Sequence, residues 1–322
     1  MTKQLCIWQF IHHNLQQNIA IMLLYVPESY GSSPGRQGFF MAVTAKGDMA
    51  GSIGGGVMEH KFVTLAKNRL QDVSSTETIS FKKQIHDKAA GENQSGMICS
   101  GEQTIVLYQI KKADLSSIES IILSLSNHQN GTLLLSPSGL AFNEAQPNHD
   151  FEFTMESESN WTYKEKTVYK NQLFIIGGGH CSLALSQLMS SMDFYIRLYD
   201  DRSELNTIQQ NIFVHEQHIV KDYGELSSLI PSGNNHFVVI MTVGYRTDYI
   251  ALKALLAKDF KYMGVLGSKK KMEKLFADFQ LEDMYQQKLY HVYTPIGISI
   301  NSHTPEEIAV SIAAEIISVK NA

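Results

Sequence analysis

Gly177-Gly178-Gly179-His180-Cys181-Ser182 follows the apolar run Leu173–Ile176 and opens an amphipathic stretch. Glycines at this spacing suit the binding of a pyrophosphate. The first permits a tight strand-to-helix turn. The second lets the backbone approach the anion at a helix N-terminus, where free N–H groups and the helix dipole favour negative charge. The string matches G-x-G-x-x-G except that Ser182 replaces the third glycine, and serine is small enough to keep helix and strand close. About twenty residues further on, where this fingerprint places an acid on the ribose hydroxyls, a second apolar run ends in Tyr199-Asp200-Asp201-Arg202. Gly177, Gly179, Ser182, Asp200 and Asp201 are therefore the candidate nucleotide-binding residues, with Asp200 the first choice for the ribose. Arg202 leaves room for an extra phosphate, so NAD or NADP is the expected cofactor. His180, at the start of the helix, is placed to touch a phosphate or a substrate. A Rossmann shell that binds another phosphate ligand, or none, is the alternative.

A second glycine-rich pair lies upstream: Gly31-Ser32-Ser33-Pro34-Gly35-Arg36, and Gly51-Ser52-Ile53-Gly54-Gly55-Gly56 followed by Val57-Met58-Glu59. Consecutive glycines before a helix expose backbone N–H groups, so Gly54, Gly55 and Gly56 are candidates to hold a phosphate or the edge of a pterin-like ring. Arg36 adds a forked donor for an anion, and Glu59 completes the candidate set. Tight turns in a small β-rich domain would have the same composition. Of the three cysteines, Cys99 sits in the small-residue stretch Ser95–Gly101 and is expected to be accessible, whereas Cys6 and Cys181 fall on helices expected to pack against cores. Arg246 and Asp248, after a strand, are within reach of the nucleotide site, although Asp248 can equally cap the next helix. Gly267-Ser268-Lys269 is a further potential anion contact. His215 and His218 lack partners for a metal site, and no Ser–His–Asp or paired-carboxylate signature is present.

The elements that position these residues fall into two patterns. From Gln172, apolar strands at Leu173–Ile176, Phe194–Tyr199, Phe237–Val243 and Tyr262–Leu266 alternate with helices, which means a parallel sheet covered on both faces. Thr304, Pro305 and Glu307 form a capping box ahead of a last helix, Ile308–Val319. Upstream, a first helix over 4–17, strands at Ile19–Val26 and Phe39–Thr44, a short element at Met49–Ile53, a helix Val57–Leu70 and a strand Thr104–Ile110 predict an α+β domain. The expected class is therefore α/β: an N-terminal α+β domain over 1–112, a bridging segment over 113–168 and a Rossmann-type parallel-sheet domain over 169–322. Within the bridge, Leu115–Leu125 reads as a helix and Thr132–Ser136 pairs with Leu140–Phe142, while Ala145–Asn160 is acidic and polar.

At 322 residues the chain accommodates two ordinary domains. Its 43% hydrophobic and 18% charged residues fit a globular protein, and a net charge of −5 argues against a nucleic-acid binder. Three widely spaced cysteines without a CxxC pair give no disulfide framework and suit a reducing cytosol. Met1–Phe10 lacks the features of an export signal, and Ile19–Val26 is too short for a membrane helix. A cytoplasmic protein without membrane attachment is expected.

The chain resembles the xanthine dehydrogenase accessory protein family of the XdhC/CoxI type over nearly its whole length. Gly31-Ser32-Ser33-Pro34, Gly51–Gly56 with Glu59, Gly177-Gly178-Gly179-His180 and Asp200-Asp201-Arg202 carry the resemblance, with Gly264–Lys269, Pro295-Ile296-Gly297 and Thr304–Glu315. The resemblance implies an accessory and assembly factor that binds the molybdenum cofactor, supports its sulfuration and delivers it to a molybdenum hydroxylase client of the xanthine dehydrogenase type. It implies a homodimer, and a cofactor-handling protein more than an enzyme. Two departures stand out. Family members often carry a cysteine directly after the Gly-Gly loop, and here that position is Val57. The family's Cys-Gly-Gly appears as Cys99-Ser100-Gly101. Valine can neither ligate molybdenum nor carry sulfur, so Cys99 is the candidate functional thiol, with a small buried residue as the alternative. An NAD(P)-dependent oxidoreductase acting on a small substrate, and a non-catalytic nucleotide sensor, are the rival readings.

Overall fold

Ile21–Val26 is apolar at every position, with no polar alternation, which suits a strand buried on both faces. The computed structural model, which describes residues 3–72, 78–85, 101–145, 147–280 and 286–322, places it at the centre of a sheet. The chain divides into two units, Met1–Val168 and Tyr169–Ala322. The first begins with α1 (Lys3–Gln16), β1 (Ile21–Gly31), β2 (Phe40–Thr44), β3 (Met49–Gly51), α2 (Gly56–Gln71), β4 (Ile79–Ile85) and β5 (Gly101–Gln109). The five strands form an antiparallel sheet in the order β3-β2-β1-β5-β4. One face buries Met22, Leu24, Met41, Val43, Ile105 and Leu107 against Met58, Phe62 and Ala66 of α2. Each large side chain buried this way contributes about 1.5–3 kcal/mol. On the other face Phe40 packs between Trp8 of α1 and Tyr25 of β1.

A single 3-10 turn at Lys112–Asp114 leads into α3 (Leu115–Ser126), followed by β6 (Thr132–Ser136), β7 (Gly139–Asn143), β8 (Phe151–Ser157) and β9 (Asn160–Lys166). These four strands form a second antiparallel sheet, β7-β6-β9-β8. The hairpin expected around Pro137–Gly139 is the β6–β7 pair. The polar stretch over 145–160 contains β8, an edge strand whose outer residues are exposed and whose Glu152 pairs with Lys164 across the ladder at 3.0 Å. An edge strand with one solvated face needs few apolar residues, which hid it in the sequence. Strand β1 also runs further than its apolar core. After an irregularity between Tyr25 and Glu28, the stretch Glu28–Gly31 pairs with Gly101–Thr104, so a segment rich in turn residues is strand.

The second unit alternates strictly. β10 (Asn171–Ile176), α4 (His180–Met189), β11 (Phe194–Asp200), α5 (Asn206–Gln209) and β12 (Glu216–Ile219) are followed by α6 (Leu226–Leu229), β13 (Gly233–Ile240), α7 (Tyr245–Leu255), β14 (Phe260–Val265), α8 (Lys269–Gln280), α9 (Gln286–Leu289) and α10 (Pro305–Lys320). All five strands are parallel, in the order β12-β11-β10-β13-β14. This is the doubly wound Rossmann order, and its topological switch point lies between the carboxyl ends of β10 and β13. One face packs Leu173, Ile175, Phe194, Ile196 and Leu198 against Leu185 of α4 and Ile312 and Ile316 of α10. The other packs Phe174, Ile176, Val238 and Ile240 against Leu252 and Leu255 of α7 and Leu275 and Phe279 of α8. Thr304 and Glu307 exchange the expected capping bonds, which start α10 at Pro305. Among the described residues no helix is long and apolar enough to cross a membrane.

Asp248 organises the end of β13. It is fully buried and accepts hydrogen bonds from the Thr242 N–H (3.0 Å), the Thr242 hydroxyl and the Lys271 ammonium. It therefore caps the turn into α7 and ties α8 to it, and does not reach toward a ligand. Truncation would leave the half-buried Thr242 N–H without its acceptor and the three-quarters-buried Lys271 ammonium with the Leu266 carbonyl at 3.3 Å but without its carboxylate. Asp248→Ala should lower the protection of the β13 and α7 amides by about 2–3 kcal/mol. Hydrogen exchange read by mass spectrometry measures it, and unchanged protection would show that the ion pair is dispensable.

Candidate functional site

The carboxyl ends of β10, β11 and β13 surround a cleft of about 640 Å³ lined by Gly179, His180, Cys181, Ser182, Arg202, Thr207 and Thr242, among others. Gly177 makes the turn possible. Its φ of +105° is left-handed, and a Cβ there would collide with the Met241 carbonyl. At Gly179, by contrast, no atom beyond the residue and its chain neighbours lies within 4 Å of the position a Cβ would take. The backbone is bare on the side where α4 begins, and the first-turn N–H groups have no intrahelical acceptor. Ser182 in that turn is fully buried, and its hydroxyl has no hydrogen-bond partner. An open cradle, free N–H groups and an orphaned hydroxyl fit the phosphate portion of a dinucleotide. His180 is exposed at the rim.

Asp200 is buried, and its carboxylate is already engaged. Oδ2 accepts from the Gly178 N–H (2.6 Å) and Arg202 Nη2 (2.7 Å); Oδ1 accepts from the Arg202 N–H and Nε, each at 2.8 Å. Burial opposes its charge, yet the Arg202 guanidinium and the Gly178 N–H outweigh burial and hold the carboxyl below its ordinary range. Asp201 accepts from the Tyr223 hydroxyl at 3.1 Å, stands 3.5 Å from Arg202 Nε and does not line the cleft. Arg246 is exposed and also outside the lining. Of the nucleotide-binding residues read from the sequence, Gly179 and Ser182 face the cleft, as does His180, while Gly177 and Asp200 shape it from behind. The residue that replaces the acid at the surface of the cleft is Arg202.

In the first unit, the two glycine loops pack backbone on backbone. A Cβ at Gly35 would strike the Ile53 carbonyl, and one at Gly54 would stand 2.6 Å from the Gly35 nitrogen. Gln103, buried at the start of β5, joins them. It accepts from the Ser33 hydroxyl (2.6 Å) and the Gly35 N–H (3.0 Å), and donates to the Ile53 carbonyl (3.1 Å). Gln103 was not singled out from the sequence. It shares a strand face with the core residues Ile105 and Leu107, and a polar residue at that inward position was the available signal.

Glu59 lies across the second loop, where one carboxylate oxygen accepts from the Ser52 hydroxyl (2.6 Å), the Ile53 N–H (2.9 Å) and the Gly55 N–H (3.0 Å). Part of the anion site expected at Gly54–Gly56 is thus filled by the chain's own acid. Gly56 and Val57, in the first turn of α2, remain without intrahelical acceptors, and Val57 is 61% exposed there. Arg36 is exposed and donates to the Gly31 carbonyl at 2.6 Å. Cys99 lies outside the described residues. Among the described residues no cluster of His, Cys, Asp or Glu could hold a metal.

Residues 173–316 match the model of the XdhC Rossmann domain, and residues 15–82 that of the XdhC and CoxI family. Over 310 residues, 95% of its length, the chain is 22% identical to an Escherichia coli (strain K12) protein described as "Uncharacterized protein YqeB", covering 44% of that protein. It is 26% identical over 152 residues, 47% of the chain, to a probable xanthine dehydrogenase component of Bacillus subtilis (strain 168), covering 43% of it. The chain thus spans less than half the length of these curated relatives. All of it aligns with 96% of a crystal structure from Bacillus halodurans described as a xanthine dehydrogenase, with 21% identity and a TM-score of 0.70, a likeness of fold.

The cysteines give a direct check on placement. Cys6 is exposed on α1, not packed against a core as its helical setting suggested, because the buried stripe of α1 runs through Leu5, Ile7, Trp8 and Ile11. Cys181 packs against the α4 face of the sheet, and burial, reinforced by Glu306, raises its thiol pKa. Timed alkylation with peptide mapping at pH 7.5 should label Cys6 at least about tenfold faster than Cys181, since the thiolate reacts. The Cys181 rate should still climb above about pH 9. Equal rates at neutral pH would contradict this packing.

Proposed function

The chain belongs to the XdhC and CoxI family, and from that membership we propose that it is an accessory factor for a xanthine dehydrogenase-type enzyme, carrying a nucleotide in its Rossmann domain and handling the molybdenum cofactor through its N-terminal glycine loops. The observation that carries the reading is the cleft at the switch point, with its bare Gly179 backbone and the orphaned Ser182 hydroxyl, in a chain whose two ends match two parts of one family.

A dinucleotide would be held by the first-turn N–H groups of α4 and Ser182 at its pyrophosphate, with Arg202 and Thr207 on the side of β11. When bound, NAD or NADP supplies a hydride-accepting or hydride-donating nicotinamide. His180 is the histidine in the cleft lining that could exchange a proton with a neighbouring substrate. The N-terminal site fits the cofactor in part. Molybdenum cofactor is a phosphorylated pterin, and the Gly56 and Val57 N–H groups with Arg36 suit its anionic end. The described residues bring no soft ligand to the metal, so no step is assigned to the molybdenum.

Two measurements test the reading. A Cβ at Gly179 meets nothing within 4 Å and its φ of −76° suits an L-residue, so Gly179→Val should leave thermal stability intact and lower nucleotide affinity at least about tenfold by blocking backbone approach. Calorimetry with NAD, NADP, ATP and AMP reads it, and wild type binding none of them at millimolar concentration would make the domain a scaffold. Anaerobic fluorescence titration with freshly released molybdenum cofactor should show weak binding by wild type, tighter binding by Val57→Cys and weaker binding by Arg36→Ala. No binding by either wild type or Val57→Cys, together with nicotinamide turnover on a small substrate, would favour an oxidoreductase.

A further inference from the structure

A carboxylate offers about four lone-pair sites for hydrogen bonds. In Asp200 all four are taken: the Gly178 N–H and Arg202 Nη2 on one oxygen, the Arg202 N–H and Nε on the other. The side chain has no exposed surface. An acid that selects the unphosphorylated ribose must present free acceptors to the 2′- and 3′-hydroxyls, and Asp200 has none. What stands at the end of β11 in its place is a guanidinium, about one third exposed and part of the cleft lining. A guanidinium has five N–H donors; two are used on Asp200, and the Nε that supplies one of them also lies 3.5 Å from Asp201 Oδ1. The remaining three belong to a planar fork whose orientation is fixed by the clamp, the arrangement suited to a phosphate.

Glu204, an exposed acid of the lining, accepts from the Ser203 hydroxyl at 3.0 Å. Thr207 donates to the Gly178 carbonyl, which holds the start of α5 against the glycine turn. The buried, unpartnered Ser182 hydroxyl belongs to the same lining, in the first turn of α4. We propose that Arg202, held by Asp200, is the specificity-determining residue of this cleft and selects an adenine nucleotide bearing a ribose 2′-phosphate, the NADP class, over NAD. The proposal rests on the reading of the cleft as a nucleotide site.

The test compares four probes on the full-length wild type: NAD, NADP, adenosine 5′-monophosphate and adenosine 2′,5′-bisphosphate. The expected result is that each 2′-phosphorylated member binds about 10- to 100-fold more tightly than its partner, the range of a charge-assisted hydrogen bond. Arg202→Lys, which keeps the charge and loses the fork, should narrow the ratio. Arg202→Leu should abolish it, with thermal melts run alongside because that change leaves Asp200 buried without its cation. The wild-type ratios decide the matter even where Arg202→Leu does not fold. Equal binding within each pair, or tighter binding of NAD, overturns the selectivity while the nucleotide reading stands. Binding of none of the four at millimolar concentration overturns both.

Discussion

One buried carboxylate determines the geometry of the cleft at the switch point. Asp200 ends β11 beside the glycine turn that ends β10, and the Gly178 N–H points at it from 2.6 Å. That N–H is buried and would otherwise have no acceptor, at a cost of about 1–3 kcal/mol. The carboxylate in turn could not remain ionised at zero exposure without a counter-charge. Arg202, two residues along, supplies it with a forked pair of bonds. The turn requires the acid, the acid requires the arginine, and the arginine is thereby fixed at the rim of the cleft.

The same device recurs where this chain must end one element and begin another. Glu59 closes the N-terminal glycine loop by accepting from Ile53 and Gly55. Asp248 closes the turn between β13 and α7. Glu315 accepts from the Gly297 N–H and the Tyr262 hydroxyl, which fixes the Pro295–Gly297 segment against β14. In each case a side chain from a helix, not a bound anion, satisfies loop donors that glycine-rich geometry exposes. The two glycine sites consequently differ in what they leave for a ligand. At α4 the first-turn N–H groups face an open cleft, because Asp200 reaches only Gly178. At α2 the chain's own acid has taken part of the nest.

This division explains what the sequence disclosed. The Rossmann half was legible because its signals are local: an apolar strand, a glycine turn and a helix follow one another within twenty residues or so, and the capping box at Thr304 and Glu307 declares its own helix. The family motifs were equally visible as strings. The partners of those motifs were not. That Asp200 is consumed by Arg202 depends on rotamers, and that Gln103 staples two loops depends on pairing across about 50 and 70 residues of chain. Polar edge strands such as β8 and β12 lack the apolar periodicity by which strands are found, since only part of each needs burial. Cys6 was misplaced for a related reason: the stripe of α1 can be read, but a residue one position off it points to solvent.

Charge by itself gives the cleft little attraction for an anion. The Asp200–Arg202 pair is neutral and its fields largely cancel a few ångströms away, and the Asp201 carboxylate also stands 3.5 Å from the same guanidinium. The helix dipole of α4 adds only about half a charge, and its effect fades within the first turn. Recognition there must therefore be short-ranged, carried by the direction of the free N–H donors on Arg202, on the first turn of α4 and by the Ser182 hydroxyl. Directional donors distinguish a tetrahedral phosphate from a pair of hydroxyls, because hydroxyls also need an acceptor and Asp200, the acid at the end of β11, has its acceptors taken up by the fold. The selectivity proposed for this site is thus a consequence of how the glycine turn is stabilised.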